Sequence, residues 1–276
     1  MRKSFCSLIS FLLFSLLACG AASAHWYVAP TGNDANNGSK RKPLKTIAAA
    51  LQRVNPGDTV FLREGSYGEF VVPTRSGKPG KMITLKSYPG EIAKIDGSDL
   101  YIKGWGNALV QVNNIDYMQF ENLHICHAHD SENNTDPEGI YITGTSGNIT
   151  FRGCKVYDIK NDCPLVDAKG DWRSAHAILV LGNTPIRNLL IEKCEIFEIH
   201  SGTSEAFTLA GNVVDFTIQD NEVHDVENIG IIIAGGDNLN PKGDISVNYA
   251  RNGVVRRNKV YRCTHEKSQD YWSQSV

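Results

Sequence analysis

One pattern of apolar and polar positions recurs along the second half of the chain. It is an apolar segment, then Cys or Asn, then two alternating apolar positions, a polar loop, and a short strand ending in Gly. The clearest copies span 149–158, 189–198, 216–225 and 253–262, with a more degenerate one over 118–126. Each alternates with period two and is rich in β-branched residues, the signature of a half-buried strand. Equivalent positions Leu123, Cys154, Cys194, Asn221 and Asn258 are unevenly spaced, so the variation lies in the loops, which is how solenoids accommodate insertions. A second strand set follows each loop, over 139–144, 177–182, 206–211 and 230–235.

If the coils stack at the strand spacing of about 4.8 Å, these strands lie over one another. Ile140, Ile178, Phe207 and Ile231 then form one inward ladder, and Ile142, Val180, Leu209 and Ile233 another. Asn221 over Asn258 would stack amide on amide at a corner and satisfy turn backbone groups. A β-sandwich of short strands is the competing reading, but sandwiches do not keep apolar positions in phase over five units. The pattern predicts an all-β, parallel β-helix. Ile47, Ala50, Leu51 and Val54 fall at helical spacing and predict a short amphipathic helix over 46–54. It would cap the first coil before a strand over 59–63. Coils through 82–87 and 109–112 would connect this cap to the regular repeats.

The N-terminus sets the expected compartment. Arg2 and Lys3 precede an apolar run over 8–18, and Ala22-Ser23-Ala24 offers a cleavage site before His25, which together read as a secretory signal. A lipid anchor at Cys19 is the less favoured alternative. The expected organisation is a signal over 1–24 and one β-helix domain over 25–276, with 25–57 as N-terminal strand and cap and 58–276 as coils. No second long apolar stretch follows, so no transmembrane segment is expected. The balance of 28 basic to 30 acidic residues becomes more acidic without Arg2 and Lys3, and gives no electrostatic reason to expect nucleic acid. Five cysteines remain after the leader (Cys126, Cys154, Cys163, Cys194 and Cys263). Their spacing is neither a disulfide framework nor a zinc motif, and they read as buried thiols.

Three further stretches carry a family resemblance. They are Tyr27-Val-Ala-Pro-Thr-Gly-Asn-Asp34 onward, Pro43-Leu-Lys-Thr-Ile-Ala48, and Pro56-Gly-Asp-Thr-Val-Phe-Leu-Arg-Glu-Gly-Ser-Tyr67. Together they resemble the opening of secreted right-handed β-helix proteins of the pectate-lyase-like superfamily, many of them polysaccharide lyases. Glu205-Ala-Phe-Thr-Leu-Ala-Gly-Asn212, His224-Asp-Val-Glu-Asn-Ile-Gly230 and Ala250-Arg-Asn-Gly253 resemble the same group. The resemblance implies a right-handed coil, a polysaccharide partner and, in some members, Ca²⁺. No clustered Asp-Asp set with a following Lys is present to hold calcium. Glu205-Ala-Phe-Thr-Leu carries no Arg where related lyases read Glu-x-Ile-Arg, and Ile232 is apolar where relatives often have Asp.

β-Elimination needs a base and a cation to neutralise the uronate carboxylate; hydrolysis needs two carboxyl groups flanking the bond. On a coil either set must come from different rungs, so the repeats are aligned to find it. The residue just before each second strand is Glu138, His176, Glu205 or Ile229. In register, the first three place carboxylates either side of an imidazole, which would raise the His pKa and suit a proton shuttle. The long loops over 158–175 and 236–250 are further candidates. In the first, Lys169 or Arg173 could serve as base or neutraliser, Trp172 could stack on a sugar, and Asp171 could bind substrate. Cys126-His127-Ala-His129-Asp130, with His124 nearby, has residue types of a transition-metal site, though no metal ligand is assigned. The repeats stop at Cys263 in a polar tail over 264–276 that does not read as a cap, so an open or truncated end is expected. The leading expectation is a secreted carbohydrate-active protein of the polysaccharide-lyase type acting on an acidic polysaccharide. The alternative is a non-catalytic β-helix that binds glycan or mediates surface contact.

Overall fold

The computed structural model describes residues 23–102, 106–163, 173–236, 239 and 243–264. The chain is all-β with mostly parallel strands, wound so that three faces stack rung upon rung. The first face runs through His25–Val28, Thr59–Leu62, Ile83–Ser87, Asp116–Glu121 and Gly147–Arg152. It continues through the second half of His176–Glu192, then Thr217–Gln219 and Val254–Arg256. The second runs from Gly65–Tyr67 through Ala93–Asp96, His124–Asp130, Lys155–Asn161, Glu195–His200 and Glu222–Glu227 to Lys259–Thr264. The third comprises Val110–Asn113, Glu138–Thr143, the first half of His176–Glu192, Glu205–Val214 and Ile229–Ala234.

Both ladders expected on the third face are present. Ile140, Ile178, Phe207 and Ile231 pair in sequence, as do Ile142, Val180, Leu209 and Ile233, and the columns extend down to Val110 and Val112. Except for Ile231, which is partly buried, and Ile233, which is exposed on the last rung of this face, these side chains fill one continuous core, in which Phe120 and Phe151 stack with centroids 4.5 Å apart and planes 5° from parallel.

The backbone shows why the repeats stay in phase. Tyr117, Asn148, Asn188, Asp215 and Asn252 all have φ between 54° and 58°. Five residues on, Asn122, Gly153, Lys193, Asp220 and Arg257 are left-handed too, and five further on so are His127, Asp158, Glu198, Asp225 and Arg262, all with φ between 51° and 63°. A left-handed residue turns the chain sharply, and Asn, Asp and Gly bear it at least cost. Repetition of this bend at matching positions keeps the rungs superposable.

At the corner after the first face, Leu123, Cys154, Cys194, Asn221 and Asn258 form one column. Asn221 accepts from the Cys194 N–H at 2.9 Å and donates to Ile191 O at 3.0 Å and Asn258 Oδ1 at 2.9 Å. The amide stack thus satisfies the turn backbone, as expected. All five described cysteines are buried thiols.

The helix is shorter than its spacing predicts, Ile47–Leu51, with the Thr46 side chain accepting from Ala49 N–H at its start. Its first amides donate to Glu69 at 2.8 and 3.0 Å, and it buries Ile47, Ala50 and Leu51 against the first strands. Among the described residues no helix is long and apolar enough to cross a membrane. Residues 1–22 of the expected signal and 265–276 of the polar tail lie outside the described residues. On the last described rung Val255 and Val260 are exposed, whereas Ile218 and Val223, which they pair, are fully buried.

Asn221→Ala would leave the buried Cys194 amide and Ile191 carbonyl unpaired. It should lower stability by about 2 kcal/mol, read from urea denaturation; a change within experimental error would contradict the role given to the corner.

Candidate active site

The residues preceding the third-face strands do come together. His176 pairs Glu138 across neighbouring rungs, and the register that pairs Ile178 with Phe207 sets Glu205 on His176's other side. The small column Gly139, Ala177, Ala206 and Gly230 follows. A Cβ on Gly139 would come within 2.7 Å of both Ala177 O and Val156 Cγ1, so only a residue without one lets the chain close on the core there.

Around His176 the polar groups are dense. Its Nδ1 lies 2.8 Å from Asp136 Oδ1 and its Nε2 4.0 Å from Glu205 Oε2. Asp136 and Glu138 are fully buried and His176 nearly so, while the Glu205 side chain is 20% exposed. Glu205 also accepts from Thr208 Oγ1 at 2.8 Å, and Thr208 stands where Glu-x-Ile-Arg lyases carry the arginine. Glu138 Oε1 accepts from the Gly106 N–H at 3.2 Å. Asp136 Oδ2 and Glu138 Oε2 have no hydrogen-bond partner among the described residues.

Asp136 escapes a reading of aligned repeats because its loop differs in length from the others. The usable signal is parity: two residues before Glu138 in extended chain, it lies on the same side.

Burial sets the protonation states. For Glu138, loss of water and then the nearby Asp136 charge push the carboxyl up to about 8, against the opposing pull of His176 and the Gly106 N–H. Burial acts the other way on His176, but Asp136 in contact and the Glu138 and Glu205 carboxyls outweigh it, and its pKa stands above the ordinary value. Burial thus favours the neutral acid at Glu138, while the carboxyls around it favour the charged form of the imidazole that Asp136 orients, with Glu205 reaching solvent.

Arg173 is tied elsewhere. Its guanidinium donates to Glu227 Oε1 at 3.2 Å and Cys163 O at 3.3 Å, while Nε is buried without a partner among the described residues. Lys169, Asp171 and Trp172 lie outside the described residues. Among the described residues one group of three titratable ligands converges, Asp96, Cys126 and His127. A thiol and an imidazole do not suit calcium, which takes oxygen ligands.

Comparison with known proteins adds the family. Residues 26–188 match the model of the Pel9A-like, right-handed β-helix region. The chain belongs to that family. Glu138 and His176 fall inside the matched segment and Glu205 beyond it. The chain is 33% identical over 227 residues to the uncharacterised protein YwoF of Bacillus subtilis (strain 168), covering 82% of this chain and 46% of that protein. It is 26% identical over 147 residues to pectate lyase PEL9 of Emericella nidulans, covering 49% of this chain and 34% of that enzyme. The chain thus spans less than half the length of these curated relatives. The crystal structure of pectate lyase Pel9A superposes with a TM-score of 0.46 at 17% identity, over 78% of this chain and 64% of that one.

A carboxyl that stays protonated to about 8 in the fold but ionises near 4.5 when unfolded binds more protons folded over that interval. Its contribution is therefore fullest below about 4.5 and is lost as pH rises towards 8. His176, also raised, acts in the same direction above its unfolded value of 6.5. Glu138→Gln, which mimics the neutral acid, should make the fall in Tm between pH 5 and 8 shallower; an unchanged slope would contradict the assignment.

Proposed function

We propose that this chain is part of a secreted polysaccharide-degrading β-helix protein that cleaves an acidic polysaccharide by β-elimination. The observation that carries the reading is the in-register pair His176 and Glu205, with Asp136 at the other imidazole nitrogen, which puts a carboxyl oxygen 4.0 Å from His176 Nε2 on a chain of the Pel9A-like family. Relatives named as pectate lyases support the substrate class, and the apolar, cleavable leader supports export, with an anchor at Cys19 the lesser alternative.

In this reading Glu205, the member that reaches solvent, takes the proton α to the uronate carboxylate. The electrons of that C–H bond form the new double bond as the glycosidic C–O bond breaks, and the His176 imidazolium returns a proton to the leaving oxygen. Asp136 keeps the imidazole charged and oriented through its Nδ1 contact. The protonated, fully buried Glu138 leaves the column one negative charge fewer beside the substrate carboxylate. Lys169, from the stretch preceding the His176 strand, supplies positive charge for that carboxylate in place of Arg173, whose guanidinium is held by Glu227, and Trp172 and Asp171 supply a stacking face and a polar contact for the sugar.

The test is incubation of the protein with polygalacturonate, alginate and chondroitin while following the absorbance of the unsaturated product. Product from one of these polymers is expected, and His176→Ala and Glu205→Gln should each lower kcat by about 100-fold or more. Absence of product from all three, or variants at the wild-type rate, would overturn the reading.

A further inference from the structure

The second face carries a separate constellation that the site above does not use. Along a regular strand neighbouring side chains point to opposite faces, so Cys126 and His127 should diverge. They do not, because His127 is one of the left-handed residues, with φ 61°. Ile125 and Ala128 both lie in the core, which leaves the two residues between them together on the outer side. The same bend leaves Tyr157 with Asp158, Phe197 with Glu198 and His224 with Asp225 at the positions above. The rung below adds Asp96, which pairs Cys126.

The result is a sulfur, a nitrogen and a carboxylate oxygen that all lie within 4.8 Å of one another. His127 Nδ1 lies 2.8 Å from Asp96 Oδ1, and Ser98 Oγ lies 3.1 Å from the same nitrogen. The other imidazole nitrogen, Nε2, is 3.7 Å from Asp158 Oδ2, and His129 Nε2 is 3.0 Å from that oxygen. A metal-ligating histidine characteristically has a carboxylate at its other nitrogen, which fixes the ring. Cys126 is fully buried, whereas the side chains of His127 and Asp96 are 29% and 17% exposed, so a cation could enter from the imidazole side.

We propose that Asp96, Cys126 and His127 form a binding site for a borderline-soft divalent transition metal of the zinc class. The set of one thiolate, one imidazole and one carboxylate selects such ions over calcium or magnesium. Three protein ligands leave the fourth tetrahedral position to water. On binding, the Cys126 S–H gives its proton to solvent as the sulfur–metal bond forms, and the metal replaces the proton shared between His127 Nδ1 and Asp96. The site sits on the second face, whereas the Glu138–His176–Glu205 column sits on the third.

Cobalt(II) reports directly on the ligands. Titrated into the intact protein, it should bind one to one, show a thiolate-to-cobalt charge-transfer band, and be displaced by zinc. Cys126→Ser should abolish that band. His127→Asn, which tolerates the left-handed backbone, should weaken binding by about tenfold or more, with circular dichroism confirming that each variant is folded. A cobalt complex without the charge-transfer band, a band that survives in Cys126→Ser, or unchanged affinity in His127→Asn would each overturn the proposal.

Discussion

Parallel, in-register stacking of unequal coils is the constraint on which everything else in this chain depends. A coil can gain or lose loop residues only if its strands return to the same place on the next rung, because a slip of one residue would turn every inward side chain outward. From Tyr117 onward the chain meets this requirement with left-handed bends five residues apart at matching positions in each of five coils. The corner amides and thiols serve the same end: each Asn or Cys side chain of the column lies near carbonyls of the rung below, as with Asn258 and Ile218 O or Cys194 and Phe151 O. The register is therefore held at its corners as well as by the apolar ladders between them.

That register is also what makes the site. Glu138, His176 and Glu205 are far apart in sequence and belong to three coils, yet they occupy one column. Stacking charged groups at the spacing of a sheet is costly unless signs alternate or protons are taken up. The cluster uses both devices: an imidazolium between carboxyls, and a Glu138 carboxyl that stays protonated well above its ordinary range. The second face resolves the same problem differently, with Lys259 on Glu222 and Arg262 on Asp225. An aromatic stack, Tyr157–Phe197–His224–Tyr261, runs between such pairs with centroids 4.9, 5.4 and 5.0 Å apart.

Much of this could be read from the amino-acid order. Phased apolar positions specify the ladders, and aligning residues before the second strands finds the ionisable column without coordinates. Two things could not be found that way. Asp136 lies in a loop whose length has no counterpart in neighbouring coils, so alignment passes over it although it makes the shortest contact to His176. The companionship of Cys126 and His127 is hidden because period-two reasoning fails at a left-handed residue, and nothing about a histidine marks it as one. The helix is shorter than its spacing predicts because its apolar residues continue into the turn leading to Val54.

The account turns on the protonation state of one buried imidazole. Titrating His176 by NMR, with its resonance assigned through His176→Gln, tests this most directly. The account predicts a pKa above that of a free histidine, falling when Asp136 is replaced by Asn. A histidine that stays neutral down through the ordinary range, as burial without effective carboxylate contact would produce, would contradict it.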